Sequence, residues 1–176
     1  MGITSKIILL VTALALSACT NPNRFGANGA GGANGANGAD GGITSGALGD
    51  PSNPASPAYF NATIGNTVRF MVDQSNLTPE AQATLRAQAQ WMMQNTSYSA
   101  LIEGHADEQG TRVYNINLGE RRANAVREFL ISQGVSGARL KTISYGKERP
   151  LAICSEESCY AQNRRSVTVL TAGAGS

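Results

Sequence analysis

The chain has little of what a catalytic or nucleic-acid-binding protein usually displays. Its 176 residues include one histidine, one tryptophan and three cysteines, and aromatics make up only 6%. Charged residues reach 15% and the net charge is +2. No block of lysine or arginine rises above that background. The electrostatic footprint of nucleic-acid binding is therefore missing, and nucleic acid is excluded as an expected partner. The aromatics are not spaced as a stacking platform. A single histidine, His105, limits acid–base and metal chemistry. No serine has a visible histidine–acid partner, and one histidine with the carboxylates Glu103 and Asp107 is a thin metal set. The reading is a protein with no catalytic residues, no metal and no cofactor.

The N-terminus carries a processing signal. Lys6 precedes a short apolar run over residues 7–16, too short to span a bilayer as a helix. It ends in Leu16-Ser17-Ala18-Cys19, which resembles the bacterial lipobox. That resemblance implies a signal peptide over residues 1–18 and acylation of Cys19. Thr20, where an aspartate would retain the protein in the inner membrane, implies sorting to the outer membrane. Several acyl chains give stable anchoring, since each buried methylene contributes roughly 0.8 kcal/mol. The alternative is an ordinary signal peptide with a cysteine beside its cleavage site. With Cys19 assigned to lipid, Cys154 and Cys159 remain as a pair. In an oxidising periplasm they can close a short loop as a disulfide. Zinc is the rival reading, but C-x₄-C is not zinc-knuckle spacing and the only histidine lies far away.

Residues 19–60 are dominated by Gly, Ala and Asn, with three copies of "GAN". They lack the apolar content for a core and read as a flexible tether, with a root-mean-square span of about 35 Å. Residues 61–172 suffice for one modest core, and residues 173–176 read as a disordered tail. "TVRFMV" alternates, with Val68, Phe70 and Val72 on one face, and predicts a strand. Thr78-Pro79 opens a helix, with Ala81, Leu85, Ala89 and Met92 as its apolar stripe to about Gln94. "SYSALIEG" predicts a second strand. A second helix begins near Val113 to Asn115 and runs to Gln133, where Gly134 stops it. "LKTISYG" and "RRSVTVL" predict two more strands. The order β-α-β-α-β-β predicts an α/β fold: a two-layer sandwich with helices packed on one face of a mixed four-stranded sheet.

The functional reading centres on "IEGHADEQGTRVYNINLGERRANAV". On the second helix, Leu118, Val126, Phe129 and Leu130 form the apolar stripe. Arg122 lies four residues from both Leu118 and Val126 and therefore faces inward, whereas Arg121 is rotated by about 100° toward solvent. An inward guanidinium needs a partner. Asp107 sits in the loop before this helix, near free N–H groups of the Gln109 to Thr111 region, which form an anion site. A carboxylate, an arginine and free N–H groups suit a zwitterion, with Asp107 accepting an ammonium and Arg122 holding a carboxylate. The same pair could instead close the loop as an internal salt bridge, and the residues alone leave both readings open. In the last strand, Arg165 shares a face with Val167 and Val169. It is expected toward the helices and the site, with Arg164 toward the open sheet face.

The segments "IEGHADEQGTRVYNINLGERRANAVREFL", "ISYGKERP" and "QNRRSVTVL" resemble the peptidoglycan-associated lipoproteins of the OmpA-like C-terminal domain family, over nearly all of residues 64–171. The resemblance implies non-covalent binding of peptidoglycan through the diaminopimelate of its stem peptide. It implies Asp107 and Arg122 as the zwitterion-holding pair, with Gly110, Thr111, Leu118 and Arg165 assigned beside them. It also implies TolB as a partner, membership of the Tol–Pal system in envelope integrity and cell division, and an outer-membrane location facing the periplasm. Residues 144–148, "SYGKE", are the region expected to touch TolB. The chain departs from the family at "RFMVD", where Met71 replaces an acidic residue but Phe70 and Asp73 remain. Two other classes stay in view. One is a peptidoglycan-processing enzyme using His105 and nearby carboxylates. The other is a structural lipoprotein in which Asp107 and Arg122 bridge internally.

Overall fold

The structure, a computed structural model, describes residues 49–172. The signal segment, Cys19, most of the tether and the 173–176 tail lie outside the described residues. Strand β1 spans Thr67–Arg69, β2 Tyr98–His105, β3 Leu140–Gly146 and β4 Arg165–Ala172. They form one mixed sheet in the order β1-β4-β2-β3. Strands β2 and β3 run parallel, while β4 is antiparallel to both β1 and β2. Helix α1 (Pro57–Tyr59), continued by a π-helical stretch over Phe60–Gly65, precedes the sheet. Helices α2 (Pro79–Gln94) and α3 (Arg112–Ser132) cover one face. A short α4 (Glu157–Asn163) leads into β4. The fold is the α/β sandwich that the sequence predicts. The additional short helices, α1 and α4, are under two turns each and too brief to carry a periodic pattern.

Local chemistry accounts for the elements. Thr78 caps α2, accepting the Ala81 N–H at 3.2 Å, and Pro79 supplies the first helical position. Ala81, Leu85, Ala89 and Met92 are all buried. Thr111 caps α3 by accepting the Tyr114 N–H, and Gly134 ends that helix by donating to Ile131. Leu118, Arg122, Val126 and Leu130 are buried along α3, while Arg121 is exposed, as the helical phase requires. Strand β1 ends at Arg69, so Val72 leaves the face it was expected to share with Val68 and Phe70 and is exposed.

One close approach sets the helix against the sheet. A Cβ placed on Gly104 of β2 would stand 1.8 Å from the Gly119 carbonyl oxygen of α3. No larger residue fits without displacing helix backbone. Ser144 of β3 reinforces the contact, its hydroxyl donating to the Ile116 carbonyl at 2.6 Å. The front half of α3 is thereby fixed over the C-terminal ends of β2 and β3. At that point β2 carries an irregularity between Gly104 and His105 and passes into the loop that holds Asp107.

Candidate functional site

A pocket of about 270 Å³ opens at this junction. Val72 and Asp73 form one wall, Asp107, Gln109 and Gly110 the back, and Tyr114, Asn115 and Leu118 of α3 the other wall. The Tyr114 hydroxyl donates to Asp73 Oδ1, joining the two walls. Asp73 adopts φ +56°, the left-handed region that a non-glycine side chain rarely occupies. Gly110, at φ +87°, turns the loop into the helix. Asn115 donates to the Gln109 carbonyl at 2.7 Å and stiffens that turn. The pocket is small, suited to the end of an amino acid rather than to a large ligand.

Asp107 is buried. Its Oδ1 accepts the Gln109 N–H at 3.3 Å, and its Oδ2 accepts from Arg164 Nη1 at 3.1 Å. Arg164 also pairs with Glu157 through both terminal nitrogens and donates weakly to the Phe70 carbonyl at 3.4 Å. Burial works against the charge of Arg164, but the bonds to Glu157 and Asp107 outweigh it and raise its pKa above the ordinary arginine value. The same arginine holds the Glu157 carboxyl below its ordinary range.

Arg122 sits behind the pocket at 0% exposure. It donates to three main-chain carbonyls: Gln74 at 2.8 Å through Nε, His105 at 2.8 Å through Nη1 and Met71 at 3.1 Å through Nη2. Its guanidinium lies 5.2 Å from the centre of the Phe70 ring. Burial pulls its pKa down to about 10, partly offset by the Asp107 charge, so it stays charged at neutral pH. The alternative reading, an internal Asp107–Arg122 bridge, is not the pairing the structure makes. Asp107 pairs with Arg164, and Arg122 ties the loop after β1 to the end of β2. Met71, the position that departs from the family at the sequence level, contributes its carbonyl to this junction while its side chain is exposed.

The last strand corrects the orientation read for its two arginines. Arg165 lies away from Asp107, donating to the Asn163 and Arg149 carbonyls at 3.4 and 3.2 Å. Arg164 takes the place at the site that was expected for Arg165. The face of β4 against the helices carries Ser166 and Thr168, both buried, while Val167 and Val169 are half-buried on the other face. Apolarity therefore pointed to the wrong side. The inner polar groups are satisfied, with Ser166 donating to the Glu103 carbonyl at 2.8 Å and Thr168 to Gln88 Oε1 at 2.9 Å.

The other expected residues divide. Gly110 and Leu118 line the pocket. Thr111 caps α3 and its hydroxyl oxygen is engaged by the Tyr114 N–H. His105 does not line the pocket. It is buried beside Glu103, whose carboxylate lies 3.6 Å from Nε2, and its ring lies 5.6 Å from that of Tyr145. Burial first, then the charges of Arg165 and Arg149, pull its pKa down to about 4. Sequence reasoning missed Arg164, Asp73 and Tyr114. Asp73 and Arg164 sit just beyond strands whose extent decides their placement. Cys154 and Cys159 are joined as a disulfide, with Cα atoms 5.8 Å apart.

Residues 69–164 match the OmpA family. The chain belongs to the OmpA family. It groups there with the peptidoglycan-associated lipoproteins. It is 46% identical over 173 residues to the one from Agrobacterium fabrum, covering 96% of this chain and 88% of that protein. It is 56% identical over 117 residues to the one from Mesorhizobium japonicum, covering 66% of this chain and 69% of that protein. Among solved structures, the peptidoglycan-associated lipoprotein from Burkholderia pseudomallei matches with a TM-score of 0.62 and 37% identity, over 69% of this chain and 100% of that one. The C-terminal domain of Helicobacter pylori MotB matches with a TM-score of 0.57 at 19% identity, covering 62% of this chain and 86% of that one, a likeness of fold alone. In this OmpA-family domain, no helix among the described residues is long and apolar enough to cross a membrane.

Proposed function

We propose that this chain is an outer-membrane lipoprotein that grips peptidoglycan non-covalently through the diaminopimelate of the stem peptide. The observation that carries the reading is the placement of Asp107 at the back of a small pocket, beside the N-terminus of α3 and in front of the buried charge of Arg122. Asp107 accepts the ligand's ammonium. Arg122 is bonded to carbonyl dipoles rather than to a carboxylate, so its positive charge still favours the ligand's carboxylate. The first N–H groups of α3 add to the same field. Arg122 also fixes the loop that carries Val72 and Asp73, and so shapes the wall facing Asp107.

The name of its relatives, peptidoglycan-associated lipoprotein, together with the lipobox over residues 16–19, supports a wider role. Cys19 is acylated in the outer membrane, the segment that follows tethers the domain, and the domain faces the periplasm; α1 and the buried Phe60 start the folded part a few residues before the expected boundary at 61. The domain thereby links membrane to cell wall, with TolB as partner in the Tol–Pal system and a part in envelope integrity and cell division. A peptidoglycan-processing enzyme built on His105 finds no support in the pocket, because the imidazole packs beside Glu103 and Tyr145 instead.

Sedimentation of the purified chain with diaminopimelate-containing sacculi tests the proposal. The chain should pellet, and free meso-diaminopimelate should release it. Pelleting that free diaminopimelate leaves untouched would refute the ligand assignment. Release of soluble wall fragments would support the enzyme.

A further inference from the structure

Resting on that reading of the pocket, we propose that the turn closed by Cys154 and Cys159 is a positioning element of the site. It acts through Glu157, which holds Arg164 so that Asp107 stays available to a ligand's ammonium. Glu157 lies inside the disulfide-closed turn and is the first residue of α4. That helix has seven residues and no side-chain cap, far short of the ~12–15 residues at which a helix stands alone. The disulfide therefore holds the first turn of α4 in place.

The end of α4 is tied both to the segment before Cys154 and to the pocket loop. Asn163, at the end of α4 and fully buried, accepts the N–H groups of Leu151 and Ala152 at 2.7 and 3.0 Å. It donates to Glu108 Oε1 at 2.6 Å, beside Asp107 in the pocket loop. Arg164 follows directly, with its side chain 5% exposed and Glu157's 66% exposed. The guanidinium thus stands between a buried carboxylate and a surface carboxylate. It gives Asp107 one hydrogen bond, Glu157 two and the Phe70 carbonyl a long one.

That division matters for binding. If Glu157 is lost or displaced, Asp107 is the only carboxylate left to Arg164. The guanidinium then closes on Asp107 bidentately, and an incoming ammonium has to displace it. A surface carboxylate pair is weak, so the expected loss is roughly threefold to fivefold.

Calorimetry of the full chain with free meso-diaminopimelate tests this. Compared are wild type, Asp107→Asn, Glu157→Gln, a Cys154→Ser/Cys159→Ser double variant, Arg164→Gln, and Glu157→Gln combined with Arg164→Gln. Glu157→Gln and the serine pair should each weaken binding by the factor above. Glu157→Gln should add nothing in the Arg164→Gln background. The Arg164 Nε–H resonance, read by NMR in every variant that keeps Arg164, should move in both the Glu157 and the cysteine variants, which a merely structural role would not require. An unmoved resonance, or unchanged affinity in Glu157→Gln while Asp107→Asn loses binding, overturns the inference and leaves the pocket assignment standing. Undiminished binding by Asp107→Asn, or none by wild type, overturns the pocket assignment and this inference with it.

Discussion

Arg164 Nη1 donates to Asp107 Oδ2 at 3.1 Å, and both side chains are nearly sealed from water. The pair joins the loop after β2 to the residue before β4. A ligand's ammonium must therefore share Asp107 with a guanidinium already in place. Arg122, the other arginine at the site, is bonded to main-chain carbonyls instead.

The two adjacent arginines of α3 should behave very differently. Arg122→Ala removes three hydrogen bonds, one of them to the carbonyl of buried His105, and opens a cavity. It should cost at least about 3 kcal/mol in urea unfolding. Arg121→Ala, on the exposed side, should stay within about 0.5 kcal/mol of wild type. Equal costs would contradict the helical phase.

Gly104→Ala should be among the most damaging small changes in the domain. The added methyl would meet the Gly119 carbonyl at 1.8 Å, and the opposing group is helix backbone. Lifting α3 off the sheet should cost about 3 kcal/mol or more and also weaken diaminopimelate binding, because α3 forms one wall of the pocket. A wild-type melting temperature for this variant would show that the helix does not sit where the structure places it.

Stability should fall in mild acid because of His105. Its folded pKa is lowered to about 4, against about 6.5 for the ordinary side chain. Between those values the unfolded chain binds the extra proton, so unfolding is favoured as pH drops. The contribution is complete above about pH 6.5 and lost on the way to pH 4, on the order of 2–3 kcal/mol. Urea midpoints measured from pH 7 to 4.5 should decline, and a His105→Gln variant should show a flatter profile over that window. Identical slopes would mean that the imidazole is not buried as described.

Much of this was legible in the sequence, for identifiable reasons. Periodicity placed Arg122 inward and Arg121 outward because a buried stripe leaves only one phase. Thr78-Pro79 marked its helix start because capping is local chemistry. Counting cysteines paired Cys154 with Cys159. The partners of Arg122 were not legible, since its acceptors are carbonyls of Met71, Gln74 and His105, and any residue type supplies a carbonyl. Strand β4 misled because its inner face is polar. Ser166 and Thr168 face the helices, where the Glu103 carbonyl and Gln88 satisfy them, and the valines face outward. That reversal exchanged the roles of Arg164 and Arg165. Helix α4 escaped notice because seven residues held by a disulfide show no periodicity.

The central claim is that Asp107 receives the ammonium of a diaminopimelate zwitterion. Its most direct test is an NMR titration of the chain and of Asp107→Asn with free meso-diaminopimelate, beside urea unfolding of both. Arg164 keeps Glu157 as a partner in the variant, so its fold should survive. Wild type should show saturable shifts confined to the pocket residues Val72, Asp73, Gln109, Gly110 and Tyr114, and folded Asp107→Asn should show none. A folded Asp107→Asn that gives the same shifts with the same midpoint would contradict the account.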